Sequence, residues 1–158
     1  MSKKDDKFNE LINLQPLEIK DWVIDIDKLL TSSGCKAAVD NKGNFTYTSR
    51  QSNKIICRIT MNESGCSVRP NTNHAASSDK IASLLPECML YTMRNSRGCG
   101  GCKEKNPNFV QCKHGGPYQF TQNNERFESC RFVGFNFSLG SVDERNFLKK
   151  WIIRELTA

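Results

Sequence analysis

Histidine is scarce in this sequence. Its 158 residues contain two, His74 and His114. Histidine is the usual general acid or base near neutral pH. No Ser/His/Asp set, phosphate-binding glycine loop or paired-carboxylate motif occurs either. The sequence therefore favours a binding protein over an enzyme.

Long apolar runs are missing too. The chain opens M-S-K-K-D-D-K with no apolar signal segment after it, and no stretch has the length of a membrane span. We therefore expect a cytoplasmic protein with no membrane partner. The length suits one domain over residues 1–158, with a disordered polar tail over residues 1–6.

Cysteine, by contrast, is abundant, with eight residues. Disulfides are rare in the cytosol, where clustered cysteines more often bind metal or carry out redox chemistry. Half of them fall within residues 97–131, which we interpret as a cysteine-rich loop followed by a hairpin. These four are Cys99, Cys102, Cys112 and Cys130.

Their spacing predicts one structural zinc ion. The C-G-G-C turn of Cys99 and Cys102 supplies two ligands from one tight turn, and Cys112 follows after a loop. We expect Cys130, on the hairpin, to be the fourth ligand. His114 is the alternative fourth ligand, and it requires the backbone to turn at the two glycines that follow it. Either set closes the tetrahedron, as in structural sites.

Other interpretations of these cysteines stay open. A redox dithiol at Cys99 and Cys102 would need a helix directly after it, which Pro107 disfavours. An iron–sulfur cluster also takes four thiolates. Disulfide pairing and unligated loop thiols are the remaining alternatives.

The four cysteines outside the cluster carry a different prediction. Cys57 and Cys66 fall on strand faces and Cys88 falls in a helix, where free cysteine acts as a small apolar residue. Cys35 opens a strand and stays ambiguous.

Apolar periodicity predicts an α+β fold, with a mostly antiparallel β-sheet flanked by helices. An amphipathic helix runs from Leu17 to Leu30, with Pro16 at its first position and Gly34 as a left-handed cap. A four-stranded meander follows, in which residues 40–43 form the first turn. Its strands are Cys35–Val39, Asn44–Ser49, Lys54–Met61 and Cys66–Pro70.

The second half mixes helix and strand. A helix starts near Asp79, with a second start at Pro86 as the alternative. A hairpin begins at Tyr118, and a long strand over Phe127–Phe137 has a bulge near Gly134. Ser141 begins the last helix, with a capping box completed three residues later.

One run carries a resemblance. The segment R-I-T-M-N-E-S-G-C-S-V-R at Arg58–Arg69, with His74 and the L-L-P-E of Leu84–Glu87, resembles small bacterial proteins with a YdhG-like α+β layout. The resemblance spans Trp22–Arg97 and implies a meander followed by a helix. Some of those proteins are labelled frataxin-like iron chaperones. That label implies an acidic helix for iron, which this sequence lacks, so no functional residue is transferred.

The charge of +6 makes the chain mildly basic. Basic residues gather around the cysteine cluster, where bound thiolates offset them. We therefore expect a cytosolic binding or interaction module with a structural zinc, acting on a protein or small molecule. The alternatives are a nucleic-acid-binding zinc protein and a thiol redox or metal-handling protein. Arg58, Arg69 and His74 form a second predicted site, for an anion or small ligand.

Overall fold

A computed structural model describes residues 3–71, 85–95, 117–122, 124–130 and 134–157. The fold is α+β, as predicted. The helices are α1 (Lys3–Ile12), α2 (Leu17–Ser32), α3 (Glu87–Arg94) and α4 (Val142–Thr157). The strands are β1 (Cys35–Val39), β2 (Asn44–Ser49), β3 (Ile55–Asn62), β4 (Gly65–Pro70), β5 (Pro117–Gln122), β6 (Glu125–Cys130) and β7 (Phe137–Ser138).

The main sheet has five strands in the order β1-β2-β3-β4-β7, all antiparallel. Its first four strands form the predicted meander. β5 and β6 pair separately as a two-stranded hairpin. None of the helices in these ranges is long and apolar enough to cross a membrane.

One hydrophobic core lies between the helices and one face of the main sheet. Inward positions of the strands alternate with half-exposed ones, so each strand gives one row of side chains to the core. Burying each large apolar side chain contributes about 1.5–3 kcal/mol to folding. The largest fully buried side chains include Tyr47, Phe45, Phe137, Ile26, Ile59 and Leu148.

Local sequence signals place the helix ends. Pro16 and Pro86 precede α2 and α3 with extended ψ angles of 151° and 146°, and each helix begins at the next residue. The alternative helix start at Pro86 is therefore confirmed, whereas the start near Asp79 lies outside the described residues. The predicted capping box is confirmed as well. The Ser141 amide donates to Glu144 Oε2 at 2.8 Å, and the Glu144 amide donates to Ser141 Oγ at 3.2 Å.

The β1–β2 turn forms as predicted. Asp40 Oδ1 accepts the amide protons of Lys42 and Asn44 at 2.8 and 3.0 Å. Hydrogen bonds from Asn44 are the main cause of the lowered pKa of Asp40. Gly43 ends the turn with a φ of +78°, in the left-handed region.

The predicted disordered tail is wrong from Lys3 onward, because α1 begins there. Lys4 Nζ donates to Asp27 Oδ1 of α2 at 2.9 Å and lies 5.3 Å from the centroid of the Phe8 ring. Phe8 in turn packs edge-on against Phe45 of the sheet, with ring centroids 5.5 Å apart. The charged residues at the start of α1 obscured its buried apolar face in the sequence. The contacts of Lys4 and Phe8 hold this face against α2 and the sheet.

The predicted long strand over Phe127–Phe137 is also wrong. β6 ends at Cys130 and belongs to the hairpin, whereas β7 begins at Phe137 and pairs with β4. Gly134 lies between them with a φ of +61°, in the left-handed region, so the backbone departs from strand conformation there. The apolar pattern in the sequence continues through both segments because both are strands. The two strands nevertheless belong to different sheets.

Candidate metal centre

The predicted zinc ligands belong to the cysteine-rich stretch over residues 97–131. Cys99, Cys102, Cys112 and His114 lie outside the described residues. Cys130 is the last residue of β6, and its register partner in β5 is Pro117. Because the strands are antiparallel, this pair stands at the open end of the hairpin. Cys130 is therefore the strand residue next to the point where the cysteine-rich loop joins the sheet.

Chain length allows both predicted ligand sets. Cys112 precedes Pro117 by five residues and His114 precedes it by three. Extended chain covers about 3.5 Å per residue, so the two α-carbons lie within about 17 Å and 10 Å of that of Pro117.

An ion pair ties the hairpin to the main domain. Arg94 of α3 donates from Nε and Nη2 to the two carboxylate oxygens of Glu125, at 3.0 and 2.9 Å. Arg94 also donates to Glu87 Oε1 at 2.7 Å. The hydrogen bond to Glu125 is the largest cause of the raised pKa of Arg94, and its counterpart lowers the pKa of Glu125. Because this ion pair is exposed to solvent, it adds little to folding stability. Its two-point geometry mainly fixes the orientation of β6 relative to α3.

Three other cysteines are buried in the core. Cys35, Cys57 and Cys66 lie on the helix-covered face of the sheet, with 4%, 0% and 9% of their surface exposed. Burial raises the pKa of all three thiols, that of Cys66 to about 12. Metals bind the thiolate, so these protonated thiols are poor ligands. The burial predicted for Cys57 and Cys66 is confirmed, and Cys35 joins them.

Cys88 differs from these three because it is exposed on α3. Its pKa is raised by partial desolvation and then by the neighbouring Glu144 carboxylate. A thiol with a raised pKa is a weak nucleophile at neutral pH but remains open to reagents. Cys88 is thus the accessible thiol of these four.

The second predicted site is brought together in part. Arg58 of β3 and Arg69 of β4 are direct register partners on the sheet face opposite the helices, and both are half-buried. His74 lies outside the described residues. The two arginines therefore lie side by side on this face of the sheet.

Sequence reasoning missed a cleft of about 450 Å³ between α1 and α2. Its walls are partly apolar, and charged side chains of both signs line it, among them Lys20, Lys28, Asp5 and Asp27. Helix α1, which the sequence did not predict, forms one side of this cleft. The apolar residues on the buried face of α1 were the only sequence signal for the cleft.

Stability is expected to fall as the pH rises above about 9. Burial raises the pKa of Cys57 and Tyr47 far above their ordinary values of 9.0 and 10.0, and that of Cys66 to about 12. The unfolded chain releases these protons at the ordinary values while the folded chain retains them. Their stabilising contribution is therefore complete below pH 9 and is lost progressively toward pH 12.

Urea-denaturation midpoints at neutral and alkaline pH would measure this loss. Cys57→Ala removes one of the three groups and should flatten the decline. An alkaline decline of the same steepness in Cys57→Ala would contradict the assignment.

The described residues alone do not build a metal site. Within these ranges, no three or more His, Cys, Asp or Glu side chains come together in a way that could hold an ion. The metal centre of the cysteine-rich loop and the YdhG-like layout over Trp22–Arg97 both stay predictions. No family model, curated protein or solved structure matches this chain.

Proposed function

We propose that this protein is a non-enzymatic binding module in which one structural zinc ion pins the cysteine-rich loop to the β5–β6 hairpin. The ligands are Cys99, Cys102, Cys112 and Cys130, with His114 as the alternative to Cys130. The observation that carries the proposal is the position of Cys130. It ends β6 opposite Pro117, where the loop enters the hairpin.

The division of the eight cysteines also supports the proposal. Three are buried in the core with raised thiol pKa values, and one is exposed on α3. The remaining four are those of the loop and hairpin. Four thiolates suit zinc in chemistry and in number.

Bound zinc would cross-link the cysteine-rich loop to the hairpin and would have no catalytic role. Four protein ligands leave no position for a reactive water, which is the feature that separates structural from catalytic zinc. The ion pair of Arg94 with Glu125 orients β6 against α3. Zinc would extend this ordering from β6 to the loop.

Counting reactive thiols tests the proposal directly. The zinc-loaded folded protein should show one accessible thiol, that of Cys88, when the reagent is given time to react with it. A chelator should raise the count to five by releasing the four ligands, and denaturant should raise it to all eight. Five accessible thiols before chelation, together with less than about half an equivalent of zinc by metal analysis, would overturn the proposal.

Single variants identify the fourth ligand. Cys130→Ser should weaken zinc binding by more than about a hundredfold if Cys130 is a ligand, because loss of a supporting residue alone costs about 10- to 100-fold. His114→Ala should then leave affinity unchanged, and the reverse pattern would assign His114. Cys88→Ser is the matched control, since it removes an exposed thiol outside the site. An iron–sulfur cluster would instead appear as iron and sulfide with visible absorbance.

A further inference from the structure

β1 forms one edge of the main sheet. In the strand order β1-β2-β3-β4-β7 it pairs with β2 alone. On its helix-covered face, Ala37 and Val39 are half-exposed. Their register partners on β2 are Tyr47 and Phe45, which are fully buried. The described helices therefore cover the second strand of the sheet more completely than its edge strand.

The backbone groups of β1 face in two directions. At one end of the strand, the Asp40 amide donates to the Asn44 carbonyl at 3.2 Å. At the other end, the Arg50 amide donates to the Gly34 carbonyl at 3.3 Å. Because the register between these two contacts is regular, the even-numbered residues of β1 hydrogen-bond to β2. The amides and carbonyls that point away from β2 are those of Cys35, Ala37 and Val39.

The outward groups of this edge are open to a further strand. Among the described residues, neither the amide nor the carbonyl of Ala37 or Val39 forms a hydrogen bond to another segment. An unpaired edge is a template for pairing with another strand, and monomeric proteins usually protect it with proline, a bulge or charge. β1 has no proline, its register with β2 has no bulge, and Lys36 is its single charged residue.

We propose that β1 pairs antiparallel with β1 of a second copy of this chain, with the two-fold axis at Ala37. The outward groups of both copies meet only if odd-numbered residues face odd-numbered ones. An axis at Ala37 pairs this residue with its own copy and pairs Cys35 with Val39 on both sides. At two hydrogen bonds for each such pair, the contact has about six. An axis at Lys36 or Ala38 would leave fewer pairs within the strand.

The side chains of β1 favour the same register. With the axis at Ala37, Lys36 lies opposite Ala38 of the second copy, so no like charges meet. An axis at Lys36 would place two lysines directly opposite each other, which destabilises a strand pair. On the helix-covered face, the half-exposed Val39 would be covered by the second copy. One five-residue strand therefore complements itself, as a two-fold contact requires.

The small size of the contact predicts a weak dimer. A pair of short strands buries less than the roughly 1,200 Å² of a stable interface, so we expect a dissociation constant on the order of 10–100 μM. The two-fold axis uses the β1 edge of both copies, which closes the assembly at two chains. The pairing requires no zinc, so it stands or falls separately from the metal site.

Sedimentation velocity over about 1 to 500 μM protein tests for this dimer. A reductant excludes a disulfide between exposed Cys88 thiols. Hydrogen exchange by NMR then locates the contact. From the lowest to the highest concentration, exchange of the Ala37 and Val39 amides should slow by about three- to tenfold. The Lys36 and Ala38 amides, which face β2, should exchange slowly throughout.

Three results of these measurements would overturn the proposal. The first is a monomer at every concentration, which would leave the edge to a different protein. The second is a dimer in which the Ala37 and Val39 amides still exchange fast, because another surface would then form the contact. The third is slow exchange of both amides in the dilute monomer, which would mean that a segment of the same chain covers the edge.

Ala37→Pro blocks the edge directly. The amide that it removes points away from β2, which is the position where a strand tolerates proline. We expect dimerisation to weaken by at least about tenfold, because interchain hydrogen bonds are lost and the ring obstructs the second strand. A melting temperature close to that of the parent protein shows that the variant folds. Unchanged dimerisation in the folded variant would contradict the proposal.

Charge variants test the register without touching the core. Ala38→Lys places a lysine opposite Lys36 of the second copy at two symmetric positions, and should weaken the dimer by about 3- to 30-fold. Adding Lys36→Glu turns both contacts into opposite-charge pairs and should restore dimerisation. Asn146→Lys is the matched control, since this residue is exposed on α4, which packs on β3 and β4. It should change dimerisation by less than about twofold. Equal effects of the two lysine variants, or no recovery in the double variant, would overturn the proposal.

Discussion

Replacing Gly43 with alanine is expected to cost about 3 kcal/mol of folding stability. A Cβ at this position would lie 2.3 Å from the Met61 carbonyl oxygen and 2.9 Å from Leu11 Cδ1. The backbone oxygen cannot retreat easily, because the Gly43 carbonyl accepts the Met61 amide at 3.1 Å. The φ of +78° adds the strain of a left-handed alanine.

Gly34 supplies the matched control. Its φ of +82° is nearly the same, but no atom lies within 4 Å of the position that an alanine methyl group would take there. Gly34→Ala should therefore lose only the backbone contribution, about 1 kcal/mol. Urea denaturation of both variants measures the difference. Equal losses would show that the close approach to Met61 relaxes at no cost.

Asp27→Ala is expected to destabilise the protein by about 2–3 kcal/mol. Asp27 Oδ1 accepts a hydrogen bond from the Tyr47 hydroxyl at 2.7 Å and from Lys4 Nζ at 2.9 Å. Tyr47 is fully buried. Alanine at position 27 would leave the Tyr47 hydroxyl without this hydrogen-bond acceptor. A buried donor without a partner has lost its hydrogen bonds to water and gains none from the protein.

A double-mutant cycle with Tyr47→Phe isolates this hydrogen bond. Tyr47→Phe alone should lose about 1 kcal/mol, because Asp27 keeps its contact with Lys4. The double variant should lose less than the two single losses combined, since with both partners removed no buried Tyr47 hydroxyl is left unsatisfied. Strict additivity in chemical denaturation would contradict the coupling.

The first half of the fold follows closely from the sequence. The repeat of apolar residues over Leu17–Leu30 predicted α2, and two-residue alternation predicted β1 to β4 with nearly correct ends. These elements are neighbours in sequence and in space, so local signals suffice. α1 was missed because its charged first turn masks Phe8, whose partner Phe45 is far along the chain.

The second half depends on pairings that no local pattern encodes. Phe127 and Phe137 belong to one apolar run in the sequence but to two different sheets in the fold. What distinguishes them is the strand with which each one pairs. This pairing depends on contacts between residues that are distant in the sequence. For the candidate site, spacing predicts which cysteines group together, and that grouping stays a prediction. Cys57 and Cys66, which the sequence places outside the group, are buried in the core. The fourth ligand depends on loop geometry, which spacing does not determine.

The return of β7 to the edge of the meander has a consequence for the order of folding. Within the meander, β1 to β4 each pair with the next strand in sequence, so the loops between them are short and quick to close. β7 and α4 join much later in the chain, and the Trp151 indole reaches back to the Asn71 carbonyl at 2.8 Å. We expect the meander with α2 to form the folding nucleus, with Val68 contributing early and Trp151 late. Kinetic φ-values near zero at Trp151 and clearly higher at Val68 would bear this out.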